Sequence, residues 1–406
     1  MKILVVNAGS SSLKYQFIDT NTNVVFAKGL CERIGIEGSL ITHKQLLKSV
    51  SATETSPMKN HADAMKLVVK YLTDAEYGCI KDMNEIDAIG HRVVHGSSYF
   101  SESILLSDDV LAKLELCRDF APLHTEAHLM GIKGCLEAMP DKPQVLVFDT
   151  AFHQTMAPEA YIYALPYEYY EKYGIRRYGA HGTSHRFVSA EMAKLLDKPL
   201  EDTKIITCHL GNGSSITAVK GGKVMDTSMG FTPLAGVEMG TRCGDIDPAI
   251  VPFIMEKEGL TADEVNAVMN KKSGFLGVSG VSSDSRDLSA AIEAGPSNEN
   301  YERAKLAVSI LVHQIKKYIG SYAAIMNGVD AIVFTAGIGE NNAALRALVC
   351  ENMEYLGVEF DKKANDGTRG VVQKISTDAS KVAVYVIPTN EELVIAKDTA
   401  AIVAAL

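Results

Sequence analysis

No Cys-x-x-Cys pair occurs anywhere in this chain, and its seven cysteines (Cys31, Cys79, Cys117, Cys135, Cys208, Cys243 and Cys350) are odd in number and scattered. That pattern excludes a disulfide framework and points to reduced thiols in a cytoplasmic compartment. Positive charge is in deficit as well. Forty Lys and Arg against fifty Asp and Glu leave a net charge of −10, which argues against a nucleic-acid partner. No apolar run reaches the length of a membrane span. The most apolar long helix, around residues 306–326, is interrupted by His313, Lys316 and Lys317, so no membrane partner is expected. The first residues enter a strand at once and lack the design of a secretory leader.

Three nucleotide-binding signatures are missing too. There is no Gly-x-x-x-x-Gly-Lys-Ser/Thr loop and no His-Arg-Asp or Asp-Phe-Gly triplet. Gly337 and Gly339 follow a strand, but the third glycine of the dinucleotide fingerprint is absent at its spacing. If the chain binds a nucleotide, it uses another scaffold.

What is present suggests one. Residues 3–6 form a β-branched apolar run that stops at Asn7-Ala8-Gly9, and a second strand leaves with Leu13, Tyr15 and Phe17 alternating against polar residues. The turn between them carries Asn7, Ser10, Ser11, Ser12 and Lys14. Amide, hydroxyl, backbone N–H and ammonium groups crowded at one tip suit a polyphosphate and its metal ion. An isolated polar hairpin would be unremarkable, but the pattern recurs. Residues 205–219 again run strand, Gly/Asn/Ser turn (His209, Leu210, Gly211, Asn212, Gly213), strand, and each copy is followed by a short turn and a third strand. Duplication implies two related lobes, and the length of 406 residues allows two domains or a little more. Facing hairpins on two lobes would clasp a nucleotide between them.

Strands and helices alternate along the rest, so the class is α/β with mixed sheets. Strand pairs are expected at 39–48. Helices are expected at 61–72, 110–117, 126–138, 249–258 and 301–326, and one opens at Thr261 with a capping box and ends at Gly274. Arg92 lies near the C-terminal end of a strand at 86–94, where ligands gather in open α/β sheets. Asp149 leaves the buried strand 145–148, a good place to hold a metal or its waters. Gly337–Gly339 reads as a loop before a helix that starts at Asn341, and residues 388–392 cap a terminal helix. Two His pairs at i,i+4, His124/His128 and His181/His185, fall short of the three protein ligands of a zinc hydrolase; backbone hydrogen bonds for His128 and His185 are the better expectation. Arg92, Arg242 and Arg286 are the cations an acidic protein would gather around an anion.

The segments 7–14 (Asn-Ala-Gly-Ser-Ser-Ser-Leu-Lys), 90–96, 148–153, 178–185, 209–213, 337–341 and 388–392, in this order, resemble the acetate kinase family over essentially the whole chain. The resemblance implies two duplicated actin-like (ribonuclease H-like) lobes, 1–148 plus 392–406 and 149–391, with a nucleotide cleft between them. It implies a homodimer and a Mg2+ ion, for which Mn2+ can substitute. The reaction implied is direct in-line phosphoryl transfer between ATP and acetate, giving ADP and acetyl phosphate. Carried over by position, Asn7 and Glu391 resemble metal-site residues. Lys14, His209, Leu210, Gly211, Asn212, Gly213, Asp284, Ser285, Arg286, Gly337, Ile338, Gly339, Glu340 and Asn341 resemble the nucleotide segments. Arg92 resembles the acetate-binding arginine, with Val94, Leu123 and Pro233 around the methyl group. Asp149 resembles the active-site acid, and His181 and Arg242 the groups that stabilise the transition state. Ala180 stands where a phenylalanine can precede the histidine, which leaves room for one or two more methylenes. The alternatives are a propionate or butyrate kinase and an actin-like ATPase that drives partner binding.

Overall fold

A computed structural model describes residues 1–406, the side chains of Pro122 and Leu123 excepted. Backbone contacts divide the chain into two units, residues 1–152 with 390–406, and residues 153–389. Asp149 and Glu391 therefore both belong to the first unit, although the expected division at 148/149 and 391/392 assigns them to the second lobe.

The first unit is built on an eight-stranded sheet ordered β5-β4-β3-β2-β1-β6-β8-β7. Its strands are β1 (Lys2–Gly9), β2 (Ser12–Asp19), β3 (Val24–Glu32), β4 (Leu40–Gln45), β5 (Val50–Thr55), β6 (Ala88–Val93), β7 (Ile104–Leu105) and β8 (Gln144–Phe148). β1 to β5 form an antiparallel meander, while β6 joins β1 in parallel and β8 joins β6 in parallel. The pair expected at 39–48 is instead β4 with β5, because the hairpin turn falls at 46–49 and the polar, alternating run 50–55 is the returning strand.

Helices flank this sheet. His61–Leu72 is capped by Asn60, whose Oδ1 accepts the Asp63 N–H at 3.0 Å. Its Met65, Val68 and Leu72 join Leu4, Leu13, Tyr15 and Phe17 in the core beneath the meander. The helix Pro122–Ala138 begins earlier than its sequence suggests, with Pro122 in the first turn. It lies so close to β1 that a Cβ on Gly131 would stand 2.5 Å from the Ala8 Cβ, so only glycine permits this approach. The terminal helix Glu391–Val403 covers β1, β6 and β8 on another core layer, where Ile395 meets Ile3, Val5 and Val147.

The second unit repeats the plan. Its strands are β9 (Lys204–Leu210), β10 (Ser214–Lys220), β11 (Lys223–Thr227), β12 (Ala331–Thr335), β13 (Gln373–Lys374) and β14 (Ala383–Val386). The sheet order is β11-β10-β9-β12-β14-β13. The run β11-β10-β9-β12-β14 matches β3-β2-β1-β6-β8 strand for strand, antiparallel through the first three and parallel thereafter. The duplication read from two turns thus extends to whole sheets. The helix Tyr301–Met326 lays Ala304, Leu311, Ile315, Ile319 and Tyr322 into this unit's core.

Three local expectations change. The Thr261–Glu264 capping box is present, but its helix stops at Lys271, and Gly274 (φ +61°) opens a further helix, Gly274–Ser279. The expected helix 249–258 starts at Ile250, with Asp247 accepting the Ala249 N–H. Gly337–Gly339 is not a loop. It lies within the helix Ala336–Asn341, where two glycines weaken helical propensity but tertiary contacts override it. Among the described residues, no helix is long and apolar enough to cross a membrane.

One buried acid stands out in the second unit. Glu238 is 2 % exposed, and neither carboxylate oxygen has a hydrogen-bond partner. Burial pushes its carboxyl from 4.5 up to about 8. Between those values the folded chain holds a proton that the unfolded chain releases. Stability is therefore full below pH 4.5 and falls as pH rises toward 8, by up to about 1.4 kcal/mol per pH unit. Glu238→Gln flattens that slope in urea midpoints taken at pH 5, 6.5 and 8; an unchanged slope would remove Glu238 as its source.

Candidate active site

In the first unit, three neighbouring parallel strands deliver their C-terminal ends to one edge. The Val6↔His91 register sets Asn7 of β1 alongside Arg92 of β6, and Val93↔Phe148 brings Asp149 just past β8. The Asp149 N–H donates to the Val93 carbonyl at 2.9 Å and so continues the ladder by one residue. Arg92 grips Asp149 with a two-pronged bond, Nε to Oδ1 at 3.2 Å and Nη2 to Oδ2 at 2.7 Å. The Asp149 side chain is 1 % exposed and that of Arg92 21 %. Such a planar fork-on-carboxylate pair fixes both side chains in orientation. Asp149 is the main cause that raises the already high Arg92 pKa, ahead of Glu391 and Glu392, and burial opposes it.

Glu391 opens the terminal helix after the N-cap Asn390. Its Oε1 is buried and has no partner. Burial raises its carboxyl from 4.5 to about 7, with Arg92 pulling the other way and Asp149 and Glu392 adding to the rise. A buried carboxylate oxygen without a donor, beside a second carboxylate and the Asn7 strand end, is chemistry suited to a hard cation that brings its own waters. Among the described residues, no three His, Cys, Asp or Glu side chains form a ready cage.

Of the two residues expected on backbone, His128 is found there and His185 is not. His124 and His128 share the helix Pro122–Ala138, and His128 Nε2 accepts the Val94 N–H at 3.1 Å. His185 does not bond to backbone through its ring. Its two nitrogens lie 2.7 Å from the hydroxyls of Thr207 and Ser215. Burial holds its pKa well below the ordinary value, so the ring is neutral. Val94 sits one residue past β6; Leu123 lies outside the described side chains.

The second unit gathers its own set around the β9–β10 turn. His181 adopts a left-handed conformation (φ +60°) as the N-cap of the helix Gly182–Leu195. Its Nδ1 lies 2.8 Å from Ser215 Oγ, and its ring stacks on His209 at 4.1 Å. His209 Nδ1 in turn lies 2.8 Å from Ser184 Oγ. Ser184, Ser215 and His185 thus brace His181 and His209, a role that strand alternation in 205–219 alone does not disclose.

Arg242 reaches the same turn. A Cβ on Gly213 would stand 3.0 Å from Arg242 Nη2 and 3.5 Å from His181 Nε2, so glycine keeps open the space on which both converge. Arg242 Nη1 donates to the Pro233 carbonyl at 2.7 Å, and burial lowers its pKa from the ordinary arginine value. A Cβ on Gly240 would meet the Asn212 side chain and the Ser283 carbonyl, and one on Gly211 would stand 3.9 Å from the Ala336 Cβ. Turn 209–213 therefore borders both loop 240–242 and the start of the helix holding Gly337, Ile338 and Gly339, and the loop in turn borders the approach to Asp284. Asp284 caps Ser285–Glu293 and chelates the exposed Arg286, Nη2 to Oδ2 at 2.5 Å. Ala180 is buried with Met229 and Met239.

A family model described as the acetokinase family matches residues 2–397. The chain belongs to the acetokinase family. This acetokinase-family chain is 57% identical over 406 residues to the acetate kinase of Thermoanaerobacter pseudethanolicus, covering 100% of both chains. Its fold is similar to crystal structures of Porphyromonas gingivalis acetate kinase (48% identity, 99% of each chain, TM-score 0.94) and a propionate kinase from Francisella tularensis (42% identity, 98% of each chain, TM-score 0.89).

One residue that the sequence does not single out supports the candidate nucleotide segment from behind. Arg346 is fully buried. Its guanidinium donates to the Gly339 carbonyl at 2.8 Å, to Asn365 Oδ1 at 2.8 Å and to the Thr368 carbonyl at 2.9 Å. Glu340, next along, accepts N–H bonds from Ala336 at 2.7 Å and Thr389 at 3.1 Å, so its carboxylate is occupied in holding the helix. Arg346→Gln should cost about 3 kcal/mol of stability, the scale of charged bonds lost in a buried site. It should raise the KM for ATP several-fold and leave that for acetate unchanged. Equal shifts in both KM values would contradict a local role.

Proposed function

We propose that this chain is an acetate kinase, catalysing reversible phosphoryl transfer between ATP and acetate to give ADP and acetyl phosphate. The observation that carries the reading is the buried Arg92–Asp149 pair at the strand ends. Its fork engages Asp149 through Nε and Nη2, which leaves the Nη1 edge for a second, substrate carboxylate. The 57% identity to an acetate kinase over the full length of both chains supports the same conclusion.

Acetate is ionised at neutral pH, so the attacking oxygen needs no general base. With both its oxygens engaged by Arg92, Asp149 orients the guanidinium instead of abstracting a proton. The obstacle is repulsion, since two unit anions 4 Å apart repel by about 4 kcal/mol at an effective dielectric of 20. Arg92 offsets it on the carboxylate side. Arg242 and His181, converging on Gly213, offset it around the phosphoryl group in flight. Asn7, Glu391 and Asp149 would hold Mg2+, or Mn2+ in its place, which supplies charge neutralisation at the phosphate oxygens. Lys14, the 209–213 turn, Asp284–Arg286 and 337–341 would hold ATP or ADP. In this reading the two lobes face each other across a nucleotide cleft and close to align donor and acceptor in line. The reading includes association of two copies, which the exposed apolar side chains of Ile246, Ile250 and Phe253 favour, and a cytoplasmic setting.

A propionate kinase is the second reading, favoured by small Ala180 and by the similarity to the Francisella tularensis enzyme. One methylene is worth only about 1–3 kcal/mol of discrimination. Hydroxylamine trapping of acyl phosphate made from ATP, Mg2+ and C2, C3 or C4 acids tests both. Highest kcat/KM for acetate supports the proposal; highest for propionate moves the assignment to the second reading; no hydroxamate from any acid ends both.

A further inference from the structure

The open face of the first unit's meander holds a concentration of positive charge that the transfer reaction leaves largely unused. A cavity of about 330 Å³ lies on it, lined by Lys14, Gln16, Lys28, Leu30, Thr42 and Lys44, with Asn7 and Glu392 at its edge. That volume admits a small-molecule ligand. Strand register explains why these side chains share one face. Gln16 of β2, Lys28 of β3 and Lys44 of β4 stand in one cross-strand row, and Lys14, Leu30 and Thr42 form the next.

Lys28 and Lys44 are therefore directly opposite each other on neighbouring strands, an arrangement of like charges that destabilises a sheet. Nothing in the lining compensates it except Glu392. Elsewhere in the same unit Lys2, Lys66, Lys70, Lys113 and Lys133 each have a carboxylate within 3.6 Å. In a chain with a net charge of −10, three ammonium groups against one carboxylate around a concavity attract anions locally. Gln16 and Thr42 add neutral donors beside them, and Leu30 supplies an apolar floor.

We propose that this face of β2, β3 and β4 is a binding site for a small polyanion carrying two or more phosphoryl groups, held by Lys14, Lys28 and Lys44. Lys28 and Lys44 lie outside every segment assigned to the transfer reaction, while Lys14 and Asn7 belong to both, so the site adjoins the nucleotide assignment and extends it along β3 and β4. A single phosphate would neutralise only part of the trio. A pyrophosphate-like ligand spans both rows and relieves the opposition between Lys28 and Lys44. A free polyphosphate compound and the tail of the nucleotide itself share this chemistry, and competition separates them.

The test is calorimetric titration of the full chain with inorganic pyrophosphate, first alone and then with ADP and Mg2+ at saturation. The proposal expects about one equivalent of pyrophosphate to bind in the presence of ADP. It expects the double variant Lys28→Gln/Lys44→Gln to lose that affinity at least tenfold while keeping its ADP affinity and basal turnover. The double variant should also unfold at the same temperature as the parent or higher, because the opposed charges are gone. Loss of pyrophosphate binding once ADP is present would assign the anion to the nucleotide site and overturn the proposal. So would no binding at all, or unchanged affinity in the double variant. None of these results bears on whether acetyl phosphate is formed.

Discussion

Arg242→Ala lowers kcat by roughly a hundredfold or more, the scale seen when a preorganised donor is removed from a developing charge, with a much smaller change in the KM for ATP. The reasoning starts from position. Arg242 is brought to the Gly213 edge of the β9–β10 turn together with His181, and its Nη1 is fixed on the Pro233 carbonyl. A guanidinium already anchored and half-desolvated needs no reorganisation as charge spreads over the phosphoryl oxygens. Arg242→Lys should rescue only a small part of the loss, because an ammonium cannot both hold Pro233 and present a second donor in the same plane. Steady-state kinetics of both variants decide the matter. Near-normal turnover in Arg242→Ala would remove the residue from the chemistry.

The second large effect is at Asp149. Asp149→Ala leaves the partly buried Arg92 guanidinium without its partner. Loss of one member of such a pair costs about 3–5 kcal/mol, readable as a drop in urea midpoint. Activity falls by at least two orders of magnitude, because the fork that should meet acetate is no longer held. Arg92→Ala instead raises the KM for acetate most, and it leaves Asp149 as a buried, unpaired carboxylate. The Arg92→Ala/Asp149→Ala double variant should be clearly less destabilised than the two single losses combined, since the pair is one coupled unit. Strict additivity would show that the bond of 2.7 Å contributes little, and an unchanged acetate KM in Arg92→Ala would place substrate recognition elsewhere.

Much of this arrangement was legible in the sequence because it is local. Turn residues between short alternating strands announce both hairpins, and a single arginine or aspartate at the end of a buried strand is visible without knowing its neighbours. Arg92 and Asp149 are thus visible separately. Their bond is not, because the register of β6 against β8 is a long-range property. The same reason hides Ser215, whose hydroxyl bridges His181 and His185 from a different strand. Arg346 reads as an ordinary helical arginine; only the fold wraps Gly339, Asn365 and Thr368 around it. The glycines of 337–339 misled in the other direction. Local propensity favours a loop, and contacts with β9 and β12 make a helical turn. His185 was expected on backbone and finds hydroxyls, since only pairing of β9 with β10 sets Thr207 and Ser215 near its ring.

Phosphorus NMR of the full chain mixed with ATP, Mg2+ and acetate addresses the central claim without a coupling enzyme. The account predicts that acyl phosphate and ADP resonances grow together in one-to-one ratio, and that added ADP and acetyl phosphate run the reaction back to ATP. Growth of ADP with inorganic phosphate alone, at the same rate with and without acetate, would contradict it.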